Sequence, residues 1–203
     1  LDKGRDLVRG GSVYNSSGAT HIGFADVVDS LCAIEQTVFI DRKYTLAQVV
    51  AAVRGNFTGP GEESMRLFLK NRAPKYGTEH PVARANARRL VRHLFDVYQA
   101  HTNYRGGPYR PAYWTMTNHA GLGGITGALP SGRRTGELFA SGITPVSGAA
   151  PELTACLNAV AELGGEEVPG CWALNIKYRP EDDATAMSER FAQVIEAYFR
   201  AGG

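Results

Sequence analysis

The chain has 203 residues, 43% hydrophobic and 21% charged, with a formal net charge of +2. That composition fits a globular protein with a substantial core in one or two domains. The charge is too small to imply nucleic acid or an anionic membrane as partner, and no apolar run approaches the roughly 20 residues of a membrane span.

Along the chain, Gly10 to Gly23 is rich in glycine, serine and asparagine and reads as a loop. Phe24, Val27, Val28, Leu31, Ile34 and Val38 then recur at helical spacing, which predicts a helix over Ala25 to Phe39. Thr45 is a suitable N-cap for a second helix ending near Gly55, and Glu62 to Lys70 predicts a short third one with acids at its positive end. After the turn-rich N-R-A-P-K-Y-G-T-E-H-P, a long helix is expected from Val82 to Ala100. Ala112 to Thr117 (A-Y-W-T-M-T) reads as a strand from its aromatic and β-branched content.

His119 to Gly148 then combines many glycines with dispersed core residues such as Leu122, Ile125, Phe139 and Ile143. A disordered linker lacks such residues, so irregular backbone packed inside a protein is expected, building a site wall. Glu152 to Leu163 predicts a helix, Trp172 to Tyr178 a strand by alternation, and Thr185 to Ala201 a last amphipathic helix. This alternation argues an α/β fold.

The chemistry legible in the residues alone is limited. Gly121-x-Gly123 follows a strand, but the third glycine is misplaced at Gly127, no acid follows at ribose distance, and no G-K-[ST] occurs. A nucleotide loop is therefore disfavoured. Arg133-Arg134 could clamp a carboxylate, or could bridge carbonyls or an acid such as Glu137. His119 sits at the end of the predicted strand, where α/β folds place ligands, and is either a structural or a functional histidine. The five histidines lack metal spacing. Arg84, Arg88, Arg89 and Arg92 read as a solvated basic face. Of Tyr113 and Trp114, one faces the core and the other a neighbour or cavity. Cys32 lies among apolar helix positions and is expected to be an inert thiol.

Three widely spaced cysteines suit reduced thiols and a cytoplasmic location better than a disulfide frame. The opening L-D-K-G-R-D-L-V-R-G-G has no apolar leader. Both ends read as cut, so an internal fragment is expected.

The segment H-A-G-L-G-G-I-T-G-A-L-P-S-G-R-R-T-G-E-L-F-A-S-G-I-T-P-V-S-G resembles the F-G-x-x-T-G-A-x-P-D-G-R-x-A-G-E-P-x-A-D-G-x-S-P stretch of glycyl radical enzymes, the pyruvate formate-lyase-like superfamily. G-G-S-V-Y-N (Gly10 to Asn15), F-A-D-V-V-D-S-L-C-A-I (Phe24 to Ile34), N-R-A-P-K-Y-G (Asn71 to Gly77) and A-L-N-I-K-Y-R-P (Ala173 to Pro180) are similar to further landmarks of that family, in its order. The resemblance implies a partial ten-stranded α/β barrel, with residues 1–203 an internal part of a single barrel domain. Neither the thiyl-cysteine segment G-C-x-E nor the radical-glycine segment R-V-x-G-Y occurs in the sequence. No catalytic residue and no bound cofactor are therefore expected here, the glycyl radical being installed elsewhere by a radical-SAM activase. Cys32 stands where the family has alanine and is not read as the thiyl site.

S-G-A-A-P-E-L-T and Y-W-T-M-T-N-H-A-G look like the alkylsuccinate and benzylsuccinate synthase branch. That branch adds a hydrocarbon C–H across fumarate and has small accessory subunits in a homo-oligomer. By motif position it implies Trp114, Asn118 and His119 as substrate-binding residues. The alternatives are another glycyl radical lyase (formate acetyltransferase, dehydratase or decarboxylase) or a non-catalytic module.

Overall fold

The structure is a computed structural model that describes residues 4–179 and 182–203. Pro180, the last residue of A-L-N-I-K-Y-R-P, and the first three residues of the chain lie outside the described residues.

Three short parallel strands, β1 (Ser17–Thr20), β2 (Tyr109–Tyr113) and β3 (Cys171–Trp172), form one sheet in the order β1-β2-β3. Ser17 pairs with Tyr109 and Thr20 with Ala112, while Ala112 pairs with Cys171 and Tyr113 with Trp172. Between β1 and β2 the chain makes four helices: α1 (Phe24–Ile34), α2 (Leu46–Arg54), α3 (Glu62–Arg72) and α4 (Pro81–Gln99). α5 (Asn118–Ile125) and α6 (Leu153–Ala161) lie between β2 and β3, and α7 (Ala184–Arg200) follows.

Local chemistry explains most of these boundaries. Gly23, with φ +86°, turns the chain into α1. The single helix predicted over Ala25 to Phe39 divides: after Ile34 it widens into a π-helix, Glu35–Ile40, where Asp41 N bonds Gln36 O at 2.7 Å. Thr45 closes a capping box on α2, its Oγ1 accepting from Gln48 N at 3.2 Å and Gln48 Oε1 from Thr45 N at 2.8 Å. Pro81 opens α4, where its missing N–H costs nothing.

Four expectations are corrected. β1 falls within the predicted loop, because its Ser-Gly-Ala-Thr side chains are too small to show an apolar alternation. β2 runs from Tyr109 to Tyr113 rather than from Ala112 to Thr117, since Met116 takes φ +46° and turns the chain out of the sheet. The glycine-rich stretch opens with a helix, α5, despite glycine's poor propensity. Ladder pairing defines β3 only at Cys171–Trp172, though Ala173 N still reaches Tyr113 O at 2.9 Å.

The main core joins α1, α4, β2 and α6 through Phe24, Val28, Tyr76, Val91, Tyr113 and Val160, all buried. Phe24 meets Tyr76 and Tyr113 edge-on, at ring separations of 5.3 and 5.0 Å. Ala83 and Ala87 on α4 let α1 approach closely. A smaller core under α2 and α3 holds Val49, Phe57 and Leu69. Tyr113, Trp172 and Leu174 point to the helices. By the period of two, Trp114, Cys171 and Asn175 point to the opposite face, where they are exposed. One face of the sheet is thus packed and the other open among the described residues.

Candidate functional site

Beyond the carboxyl ends of β2 and β3 lies a cavity of about 710 Å³ whose wall includes His119, Ser141, Thr144, Cys156, Asn175 and Lys177. Parallel α/β sheets place ligands at this end of the strands. Its wall is built from segments distant in sequence. Thr115, just past β2, is the hub: its Oγ1 lies 3.1 Å from Ser141 Oγ and 3.2 Å from His119 Nδ1, and accepts from Gly142 N at 3.2 Å. Asn175 donates from Nδ2 to Ser141 Oγ at 3.1 Å, and its backbone N donates to Thr144 Oγ1 at 2.8 Å.

His119 Nδ1 is 2.8 Å from Met116 O. A carbonyl only accepts, so Nδ1 carries the proton and the neutral ring keeps Nε2 as an acceptor. Thr115 Oγ1 accepts from Gly142 N, and its own proton can go either to Met116 O, 3.4 Å away, or to Ser141 Oγ. Ser141 Oγ accepts from Asn175 Nδ2; its own proton goes to Thr115 Oγ1 when Thr115 donates to Met116 O, and is left for the cavity when Thr115 donates to Ser141. The wall thus offers Ser141 O–H as a donor and His119 Nε2 as an acceptor, with the side chains of Ser147, Glu152 and Lys177 as further polar groups around the same cavity.

A second cavity, of about 410 Å³, lies behind this wall and is lined by Asp26, Asp29, Lys70, Lys75, Arg133 and Glu137. Asp29, 2% exposed, faces Lys75 Nζ at 3.7 Å and accepts from Tyr76 N at 2.8 Å. Burial outweighs that attraction and pushes its carboxyl up to about 6. Asp26 Oδ2 accepts from Ala140 N at 2.9 Å; burial raises this carboxyl too, against the pull of that bond and of Arg133. Arg133 is buried, donates to the carbonyls of Gly123, Gly127 and Glu137, and lies 4.4 Å over the Phe139 ring. It bridges carbonyls as one of the two readings had it. Arg134 reaches Glu63 at 2.5 Å on the surface.

Comparison with known proteins places this geometry. Residues 1–123 match the family described as pyruvate formate lyase-like. The chain belongs to the pyruvate formate lyase-like family. Over its full length this family member is 29% identical to trans-4-hydroxy-L-proline dehydratase of Clostridioides difficile, of which it covers 26%. Among solved structures it superposes on the glycerol-bound B12-independent glycerol dehydratase of Clostridium butyricum with a TM-score of 0.92, at 29% identity. That match covers all of this chain and 26% of the other. It also superposes on a glycyl radical enzyme of Archaeoglobus fulgidus with a TM-score of 0.85, at 34% identity, over 99% of this chain and 25% of that one. The α/β fold expected as part of a glycyl radical enzyme barrel is the fold observed, and the chain spans about a quarter of the length of these relatives.

For this pyruvate formate lyase-like chain, the expected site residues fall in different places. His119 lines the cavity and joins its network. Trp114 lies on the open sheet face, 37% exposed, and Asn118 is exposed at the start of α5; neither lines the cavity. Sequence reasoning missed Thr115, Ser141 and Asn175, and also the charged group of Asp26, Asp29 and Lys75. The latter three stand inside the quoted motifs F-A-D-V-V-D-S-L and N-R-A-P-K-Y-G, and their polar letters within apolar surroundings were the available signal. Cys32 is fully buried, and burial pushes its thiol up to about 12, so it is inert as expected. Among the described residues no group of three or more His, Cys, Asp or Glu could hold a metal, and no helix is long and apolar enough to cross a membrane.

Proposed function

We propose that these residues are the internal part of one barrel domain of a glycyl radical lyase, and that their cavity binds a small hydroxylated substrate from which water is eliminated. The observation that carries this reading is a polar wall on which Ser141 O–H can donate and His119 Nε2 can accept, beside Glu152, Asn175 and Lys177. A substrate hydroxyl can accept from the first and donate to the second. A hydrocarbon would leave both unpaired, at a cost of about 1–3 kcal/mol each. The named relatives support the reading, since one dehydrates hydroxyproline and another dehydrates glycerol.

In this reading the radical chemistry comes from segments outside these residues, with a glycyl radical installed by a radical-SAM activase. The residues here bind, orient and hold protons. Elimination breaks one C–O bond, and the hydroxyl leaves as water with a proton. His119 Nε2 is placed to hold a hydroxyl proton, and Ser141 to direct the oxygen.

Fumarate addition stands as a second reading because two large apolar side chains, Trp114 and Met116, are both exposed just past the end of β2. Fumarate and a hydrocarbon would be its substrates, with accessory subunits in a homo-oligomer. The two readings separate in one experiment. The enzyme carrying this chain, activated anaerobically, is offered glycerol, trans-4-hydroxy-L-proline, and fumarate with toluene or hexane. Dehydration of a hydroxylated compound is expected. Formation of a substituted succinate, with no dehydration, would overturn the proposal.

A further inference from the structure

Residues 139–143 carry Ser141 into the cavity wall, yet they lie in no helix or strand. Their backbone donors are held from elsewhere: Phe139 N by His119 O at 3.2 Å, Ala140 N by Asp26 Oδ2 at 2.9 Å, Gly142 N by Thr115 Oγ1 at 3.2 Å, and Ile143 N by Ala173 O at 3.1 Å. Asp26 is the only carboxylate among these acceptors, and it does not line the substrate cavity. It sits in the first turn of α1 between the fully buried Ala25 and Val28, so its own position is fixed by the core. From Asp26 to the site is one covalent step, Ala140 to Ser141, followed by one hydrogen bond to Thr115 or Asn175.

We propose that Asp26 is a positioning residue for the substrate cavity: by holding Ala140 N it sets where Ser141 places its hydroxyl group. The proposal rests on the reading of that cavity as the substrate site. It separates Asp26 from its neighbour Asp29, whose contacts, Lys75 and Tyr76 N, hold the connector before α4 and do not reach Ser141. A charged acceptor suits the task, because hydrogen bonds to ionised groups are shorter and stronger than neutral ones.

The test is a double-mutant cycle in the activated full-length enzyme, using glycerol or trans-4-hydroxy-L-proline, whichever is turned over. Asp26→Leu removes the acceptor; Asp26→Asn keeps one. Asp26→Leu is expected to raise KM roughly tenfold with kcat within about threefold, because lost binding contacts move KM first. Asp26→Asn is expected to restore KM to within about threefold of the parent, and Asp26→Leu to add less than about twofold in a Ser141→Ala background, as coupled residues behave. Equal loss in Asp26→Leu and Asp26→Asn, or full additivity with Ser141→Ala, overturns the positioning role. If Ser141→Ala itself leaves KM unchanged, the cavity reading falls. The contact is then judged by hydrogen exchange: faster exchange confined to residues 138–144 in Asp26→Leu but not in Asp26→Asn supports it, and unchanged exchange overturns it. Should Asp26→Leu not fold, Asp26→Ser, too short to reach Ala140 N, takes its place in the same cycle.

Discussion

The Asp29–Lys75 pair gives the sharpest test of how the buried charges hold the fold. Lys75 Nζ lies 3.7 Å from Asp29 Oδ2, with side-chain exposures of 15% and 2%. At an effective dielectric constant of about 20 that separation corresponds to roughly 4.5 kcal/mol of attraction. Even so, Asp29 is pushed up to about 6 from 3.8. The fold therefore favours its protonated form, and the ionised form is disfavoured by about 3 kcal/mol at 1.36 kcal/mol per unit. Because the folded value lies above the unfolded one, this stabilisation is full below about 3.8 and is lost as pH rises through about 6. Lys75→Met removes the attraction that restrains the shift, so the loss deepens and extends above pH 6. The expected cost is about 3–5 kcal/mol at pH 7.5, as for other broken buried pairs. At pH 4.5, where Asp29 is protonated in the fold, it should fall to about 1 kcal/mol. Urea unfolding followed by tryptophan fluorescence at the two pH values measures both. An equal cost at the two would refute the coupling, since only ionised Asp29 needs the lysine.

Other residues give independent tests. Arg133→Ala strands the carbonyls of Gly123, Gly127 and Glu137, and should cost about 3–5 kcal/mol by urea unfolding, with Arg133→Lys recovering less than half because an ammonium cannot span the same fork. Gly142 has φ +59°, and a Cβ there would sit 2.2 Å from Ala173 O, so Gly142→Ala should cost upwards of about 3 kcal/mol. Gly124 meets nothing within 4 Å inside α5, and Gly124→Ala should stabilise by about 0.5–1 kcal/mol in the same assay. Iodoacetamide should alkylate exposed Cys171 first and half-buried Cys156 more slowly, reaching Cys32 only on denaturation; modification of Cys32 in the native state, read by peptide mass, would contradict its burial.

The helices were legible because each carries its own signal. Thr45 caps α2, Pro81 opens α4, and Ala83, Ala87 and Val91 repeat at helical spacing. The strands were legible only in part. β1 has no large side chain and so shows no alternation, whereas the alternation from Trp172 to Tyr178 marked the β3 segment but not that its ladder stops after two residues. α5 was hidden by its glycines, whose reason lies elsewhere in the chain. A Cβ on Gly123 would lie 2.7 Å from Glu137 O and Phe139 N, so the returning strand of backbone requires glycine there. Composition marks such a position as flexible, whereas packing makes it a close contact. The family resemblance supplied the barrel, but it named the site by motif position. Of its three residues only His119 reaches the cavity.

The glycine-rich stretch also shows why the site itself could not be read from periodicity. Regular elements satisfy their backbone donors within themselves or with an adjacent strand, which is what makes a repeat visible in sequence. Residues 139–143 instead draw acceptors from α1, α5, the end of β2 and the segment after β3. A wall held this way takes its shape only when all four are in place, so its donors are set by contacts across more than a hundred residues, as Asp26 to Ala140 illustrates. The same arrangement ties the polar face of the cavity to the buried charges behind it, because Arg133 clamps the two ends of the turn on which Phe139 and Ala140 follow. A substitution at Asp26 or Arg133 should therefore reach the cavity through the backbone of 139–143, while a change on the exposed face of α4, such as Arg88→Ala, should leave it untouched.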